Sequence, residues 1–445
     1  MVNFLKNKYM KFKEKIQTNK FYSNLFKNSF WAFLGDSTAS VLNLVVTIIL
    51  IKLTGNYNYG LLVLAQSYMS IVDTTLNVQC WKSVIQFGQK AIVENDDSKL
   101  NSYVLLGTKL DVITAIIGGI VSLLLSPLIG TILNWSTETI ICAQIFSITI
   151  FSHLSGTSTA ILRILDKFHL VAIQKFVTSV IKLITLIIIM IMFKHVSIVT
   201  AAIAYCASDI IGNILLVIMA VCTYRKKHKI KDVLKAEKVK EKKEFIKFTF
   251  WGTVGMIADI PINYLDVFII SLLGSNMVAV FKVFKQCIAI IKKVTSAIQQ
   301  AIMPQFSELI ARGERERGYK IVKKTRNIIL KIMIPVGLLI GLTSPLWLNI
   351  IYGKIYAANW YNLLIYLIIE IIALSYTTIH PFYVSLDKAK SESYITLGAN
   401  VIYIILALIF VKLIGITGMI IAIAIQCFIT IYLKMIGIKK ELKLN

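Results

Sequence analysis

The sequence predicts an all-α integral membrane protein with about 12 transmembrane helices in two six-helix lobes related by a parallel repeat. Three observations carry this. The 445 residues are 57% hydrophobic and 16% charged, against about 45–50% and about 25% in soluble domains. Basic residues gather in alternate connections between apolar runs, the bias that orients membrane proteins. A set of residues also recurs about 220 positions later, at equivalent points of the two halves. At about 20 residues per span, the chain has room for a dozen spans and no additional large soluble domain.

The first apolar run, roughly residues 30–53, follows a basic segment, 1–27, that holds seven lysines from Lys6 to Lys27. Its length and the lack of a small-residue cleavage pattern predict a retained helix rather than a secretory signal. With Phe4, Leu5, Phe12 and Ile16, residues 3–20 read equally as an amphipathic surface helix or as a solvated basic tail. Runs at roughly 59–80, 103–128, 139–163, 168–193 and 197–223 complete an N-lobe over 28–223. Residues 224–247 read as a solvated linker, with eleven basic and four acidic residues between Arg225 and Lys247. Runs at roughly 248–272, 276–303, 327–351, 359–385, 391–413 and 415–437 form a C-lobe over 248–437, and 438–445 is a tail.

The connections support the count. Lys82, Lys90 and Lys99, then Arg163 and Lys167, the linker, the cluster from Arg312 to Arg326, Lys388 and Lys390, and the tail lysines all fall on one side. The other side has little beyond Lys194, Lys354 and Lys412. Both termini are therefore expected in the cytoplasm. In a soluble chain the net charge of +25 would suggest nucleic acid. Here orientation accounts for it, and no nucleic-acid partner is expected.

Phe30-Trp31, Gly35 and Asn43 recur as Phe250-Trp251, Gly255 and Asn263 in the first and seventh spans. Leu53-Thr54-Gly55 answers Leu272-Leu273-Gly274, and Leu165-Asp166-Lys167 answers Leu386-Asp387-Lys388. Six spans per copy is an even number, so both copies enter from the same side. Parallel repeats of this kind place a site between two lobes that rock.

Charge inside a span costs at least about 2.5–3.5 kcal/mol on the insertion scale, so it faces a cavity or a partner. In the eighth span Lys282, Lys285 and Lys292 share one helical face, with Lys293 beside it. Ammonium groups in a cavity suit a phosphate or carboxylate; Lys292 and Lys293 also read as rim residues that snorkel. In the first span Asp36, Ser40, Asn43 and Thr47 make one polar stripe, and the seventh offers Asp259, Asn263 and Asp266. Pro261 removes a backbone hydrogen bond there and predicts a kink that could serve as a hinge. Lys175 and Lys182, Asp209, Lys109 and Asp111, and Glu370 add buried charge. Lys182 with Asp209 is the leading structural ion pair, although Lys182 is also a candidate substrate cation. Asp36, Asp259, Glu370 and Asp209 are candidates for ion coupling or gating, by Na⁺ or H⁺. His153 and His380 have no helical neighbour at metal spacing, and core hydrogen bonding is expected of both.

Several segments together resemble the oligosaccharide flippases of the polysaccharide-export (Wzx-type) group, in the multidrug, oligosaccharidyl-lipid and polysaccharide exporter superfamily. They are Leu53 to Gly60 (LTGNYNYG), Asp266 to Gly274 leading into Val278-Ala279-Val280-Phe281, Pro304, the Leu386-Asp387-Lys388 turn, and Gly415-Ile416-Thr417-Gly418. The resemblance covers essentially the whole chain, through degenerate motifs. It implies a flippase in the bacterial cytoplasmic membrane that carries an undecaprenyl-pyrophosphate-linked oligosaccharide repeat unit to the outer leaflet by alternating access. Polysaccharide polymerase and glycosyltransferases would be its functional neighbours. Lys282, Lys285, Lys292 and Lys182 would meet the pyrophosphate or an acidic sugar.

Two rivals remain. A multidrug and toxin extrusion exporter would have the same lobes, but its cationic drugs want acids where the Lys282 face stands. A membrane polymerase or glycosyltransferase would need a sizeable outer loop, and every outer connection is short. An enzyme is therefore not expected, and no cofactor beyond a coupling ion. The six cysteines show no metal or disulfide spacing, and no GxxxxGK[ST] phosphate loop is present.

Overall fold

The computed structural model describes residues 20–442 apart from 79, 194–195, 237–240 and 387. The segment read at 3–20 therefore lies outside the described residues except for Lys20, as does Asp387 of the second Leu-Asp-Lys turn. The described chain is helical throughout. The N-lobe consists of α1 (Lys20–Thr54), α2 (Asn56–Leu76), α3 (Trp81–Val93), α4 (Asp97–Ile132), α5 (Thr137–Ile150), α6 (Ser155–Ile164), α7 (Phe168–Met192) and α8 (Ile198–Tyr224). A short α9 (Ile230–Leu234) lies in the linker. The C-lobe follows as α10 (Lys242–Ala258), a π-helical turn (Pro261–Leu265), α11 (Asp266–Ile270), a 3₁₀ turn (Ser271–Leu273), α12 (Ser275–Ala311), α13 (Arg315–Ile351), α14 (Lys354–Ala358), α15 (Trp360–Ser375), α16 (Ile379–Ser385), α17 (Ala389–Ile414) and α18 (Ile416–Glu441).

Ten stretches among the described residues are long and apolar enough to cross a membrane. Neither α2 nor α12 is among them. Both line the space between the lobes, where a polar surface is tolerated because it meets water rather than lipid. With them the spans number twelve, in two lobes of six. Leu124, Ile191, Leu346 and Ile350 are among the large apolar side chains on the outer surface, and these face the bilayer.

The repeat is visible in backbone geometry. Gly55 and Gly274, the pair aligned between the two copies, both have positive φ, 81° and 94°, which glycine adopts without steric penalty. Each turns the chain from the end of one span into the next. The rest of the LTGNYNYG segment also has local reasons. Asn58 Nδ2 donates to the Thr54 carbonyl at 2.9 Å, satisfying an orphan acceptor at the α1 terminus. Gly60 packs directly on the Ser275 carbonyl, where a side chain would collide.

Two spans that read as continuous are broken, the fourth into α5 and α6 and the tenth into α15 and α16. The second ends with α2, and α3 occupies what read as a basic connection. In the N-lobe the starts of α3 and α6 share one carboxylate. Buried Asp111 on α4 accepts from the Cys80 N–H at 3.3 Å and the Thr157 N–H at 2.6 Å, beside the first turns of α3 and α6. The same node holds His153 Nδ1 2.9 Å from Asp73, with Asn77 Nδ2 donating to Asp73 at 3.0 Å. His153 is thus a core hydrogen-bonding histidine. His380 is not, since its ring is half-exposed and lies 3.2 Å from Glu392.

The kink expected at Pro261 is present as the π-helical turn. Asn400 Nδ2 donates to the Ala258 carbonyl at 2.6 Å, beside the break that a proline forces.

The hydrophobic core is divided unequally. On the side away from the basic loops, one cluster runs through both lobes, from Val46 and Leu64 to Phe281, Leu367 and Met419. On the basic side each lobe has its own cluster, around Tyr103 and Leu162 in one and Phe306 and Phe382 in the other. The lobes are therefore joined on the far side and separately packed on the basic side. One exception crosses over. Phe245, at the start of α10, is fully buried in the N-lobe cluster, and Ser83 and Thr249 share a 2.6 Å hydrogen bond beside it.

Candidate substrate cavity between the lobes

The far-side floor of the interlobe space encloses a cavity of about 320 Å³. The polar stripe read on α1 forms one wall through Ser40, Asn43 and Thr47. From α2 come Tyr59, Gln66 and Ser67; Tyr205 of α8 and Tyr264 of the π turn add aromatic surface. The C-lobe contributes Lys282 and Gln286 of α12. Gln286 Nε2 donates to Thr47 Oγ1 at 2.9 Å, a hydrogen bond between lobes, and Thr47 lies 3.4 Å from the Tyr59 hydroxyl.

Lys282 is the one charged side chain lining this cavity. Among the described residues it has no carboxylate within ion-pair distance. Asn43 Oδ1 and Gln286 Oε1 are buried acceptors without a hydrogen-bond partner there. Buried acceptors are nearly always satisfied; these two flank the cavity from opposite lobes.

A second constellation lies nearer the basic side. Asp36 of α1 bonds Lys175 of α7 at 2.5 Å and faces Lys293 of α12 at 3.8 Å. The carboxylate thus stands between ammonium groups of opposite lobes. All three side chains are about a third or more exposed, at 34%, 40% and 34% for Asp36, Lys175 and Lys293. Exposed charge inside a span faces water, here in the gap between the lobes. Arg163 lies over the Trp81 ring at 4.8 Å, and its Nε lacks a partner among the described residues. Lys82 lies over the same ring at 5.4 Å.

The structure divides the lysines that looked equivalent. Lys285 does not line the cavity. Its ammonium bonds buried Asp266 at 2.5 Å and the Ile262 and Asn263 carbonyls at 3.1 and 2.9 Å, so it fastens the break in the seventh span. Lys292 is half-exposed but held by Glu370 at 2.8 Å. Lys182 bonds Asp209 at 2.8 Å and sits 3.5 Å from the Tyr205 ring centre, behind the cavity wall rather than in it. That ion pair is the one expected between these residues, and Lys182 does not line the cavity. Lys282, Lys285 and Lys292 lie within a few tens of degrees of one another on α12, yet each meets different surroundings.

The coupling candidates sort the same way. Asp36, Asp209 and Glu370 each carry a lysine. Asp259, the C-cap of α10, is exposed and makes no ion pair among the described residues. Pro261 opens the π turn. Among the described residues no cluster of three or more His, Cys, Asp or Glu side chains could hold a metal ion. Lys293 read as a rim residue and Arg163 as a loop residue; their aromatic and carboxylate partners lie far away in sequence, so spacing did not reveal them.

A family model described as "Polysaccharide biosynthesis protein" matches residues 25–310, which takes in the N-lobe and the two C-lobe spans that face it. The chain belongs to that family. A curated relative, the Escherichia coli (strain K12) inner membrane protein YghQ, is 28% identical over 157 residues, 35% of this chain and 43% of the relative. The match thus spans less than half of that protein. Among solved structures, an inward-facing multidrug resistance MATE family transporter of the MOP superfamily aligns at TM-score 0.73 and 15% identity, over 91% of this chain and 94% of that one. An outward-facing structure of such a transporter gives 0.59 at 16% identity, over 94% and 95%. The Vibrio cholerae MATE transporter VcmN, in its bent form, gives 0.62 at 13%, over 95% and 97%. The fold of the family member is therefore the two-lobed fold of those transporters.

Proposed function

We propose that this protein carries a polyprenyl-pyrophosphate-linked oligosaccharide from the cytoplasmic to the outer leaflet of a bacterial inner membrane by alternating access. The observation that carries the reading is the arrangement of Lys175, Asp36 and Lys293 across the lobe gap. The basic loops orient that side, with both termini, to the cytoplasm, and the separate cores leave the cleft open there. A pyrophosphate has more negative charge and more acceptor oxygens than one carboxylate, so it displaces Asp36 from the two lysines. Its bridging of N-lobe and C-lobe ammonium groups then draws the cytoplasmic halves together. Closure on that side loads the single far-side core and favours its separation, which releases the head to the outer leaflet.

Displacement leaves Asp36 an unpaired carboxylate inside the membrane, where a charge is costly. H⁺ or Na⁺ taken up by Asp36 from outside in the outward-facing state, and released to the cytoplasm when Asp36 pairs again with the lysines, is the step through which an inward gradient would drive the cycle, with Asp259 as a second candidate. Glycosyltransferases on the cytoplasmic side would supply the substrate and a polymerase outside would consume it.

The test is leaflet transfer of a fluorescent polyprenyl-pyrophosphate oligosaccharide in proteoliposomes under imposed ion gradients. Wild type should transfer it, and Lys175→Gln with Lys293→Gln should lower the rate by about tenfold or more while inserting normally. No transfer by wild type, with export of an organic cation instead, would favour the drug-exporter reading that the fold also permits.

A further inference from the structure

The charged gap and the far-side cavity differ in chemistry, and the difference assigns them to different parts of one substrate. Several cations face the gap, as an anionic head requires. The cavity has neutral amides, hydroxyls and aromatic rings, with a single cation. Its volume of about 320 Å³ is at the lower end of the roughly 300–1,000 Å³ of small-molecule sites, enough for the leading end of a glycan.

Resting on the transport reading above, we infer that the cavity binds the glycan's terminal sugar and that Lys282 reads a carboxylate on it: the substrate is an acidic oligosaccharide. The amide side chains of Asn43, Gln66 and Gln286 line the cavity, groups of the kind that hydrogen-bond sugar hydroxyls. Tyr205 and Tyr264 add aromatic surface to the lining, of the kind that packs on a pyranose. Lys282 has no carboxylate partner among the described residues, while its neighbour Lys285 is cancelled by Asp266. Isolated charge in a cavity of neutral groups demands a counter-charge from the ligand. The pyrophosphate cannot supply it while it spans Lys175 and Lys293, because those residues lie nearer the basic side, more than two helical turns from Lys282 in the case of Lys293.

The experiment uses the full chain and two probes, a glucuronate-terminated disaccharide and its methyl ester, which differ in charge and by one methyl group. Calorimetry on detergent-solubilised wild type should show the acid bound about tenfold or more tighter than the ester. Lys282→Met should erase that difference, and Lys282→Arg should restore it. Equal affinities in wild type, no binding of either probe, or a preference that survives Lys282→Met would overturn the inference. Transfer of lipid-linked substrates ending in glucuronate or glucose separates this from the underlying reading. Equal rates for both in wild type would remove the acidic-sugar assignment and leave transport standing. Transfer of neither would remove both.

Discussion

At the scale of single residues, the four lysines of α12 show how far sequence spacing can go. It identified charge in a membrane span, but what each charge does depends on residues far away in the chain. Asp266 and Glu370 neutralise Lys285 and Lys292, Asp36 faces Lys293, and only Lys282 turns to the cavity. The distinction has a measurable consequence. Lys285→Met strands buried Asp266 and two carbonyls, so it should lower stability by about 3 kcal/mol, read as a fall in the thermal midpoint in detergent. Lys282→Met removes a charge without a described carboxylate partner and should leave the midpoint unchanged or raised. A similar fall in both variants would contradict the division of roles.

Among elements, the kink in the seventh span was legible; the helix α3 and the breaks in the fourth and tenth spans were not. Pro261 announces its kink by lacking an N–H. The starts of α3 and α6 have no such marker, because the acceptor that stabilises both is Asp111, on a third helix. Hydrophobic period follows the surface that meets lipid and does not register which backbone groups are satisfied elsewhere. For the same reason α13 begins at Arg315 rather than near 327: the helix continues past the apolar run. Asp111→Ala should remove two charge-assisted acceptors, lower stability by about 3 kcal/mol and raise hydrogen exchange at the N–H groups of Cys80 and Thr157 first. Exchange unchanged at those two amides would show that Asp111 does not hold the two helix starts.

The whole molecule is two lobes with one shared core on the far side and two separate cores on the basic side. The duplication, the even number of spans per copy and the alternation of basic loops were all visible in the sequence, because each is a property of order along the chain. The lobe-spanning contacts were not: Gln286 with Thr47, Lys293 with Asp36 and Phe245 in the N-lobe core join positions from opposite halves. Under the proposed function, an anion bridging Lys175 and Lys293 would trigger closure. The decisive measurement is therefore a distance. Spin labels at Lys90→Cys and Lys320→Cys, both exposed on the basic side, in a chain carrying Cys222→Ser to remove the exposed native thiol, report how far apart the lobes stand there. Adding a polyprenyl-pyrophosphate oligosaccharide should shift the distribution to shorter distances in the parent protein and leave it unmoved in Lys175→Gln with Lys293→Gln. A distribution that ignores the substrate, or one that shortens equally in the double variant, would contradict closure by a pyrophosphate bridging the two lobes.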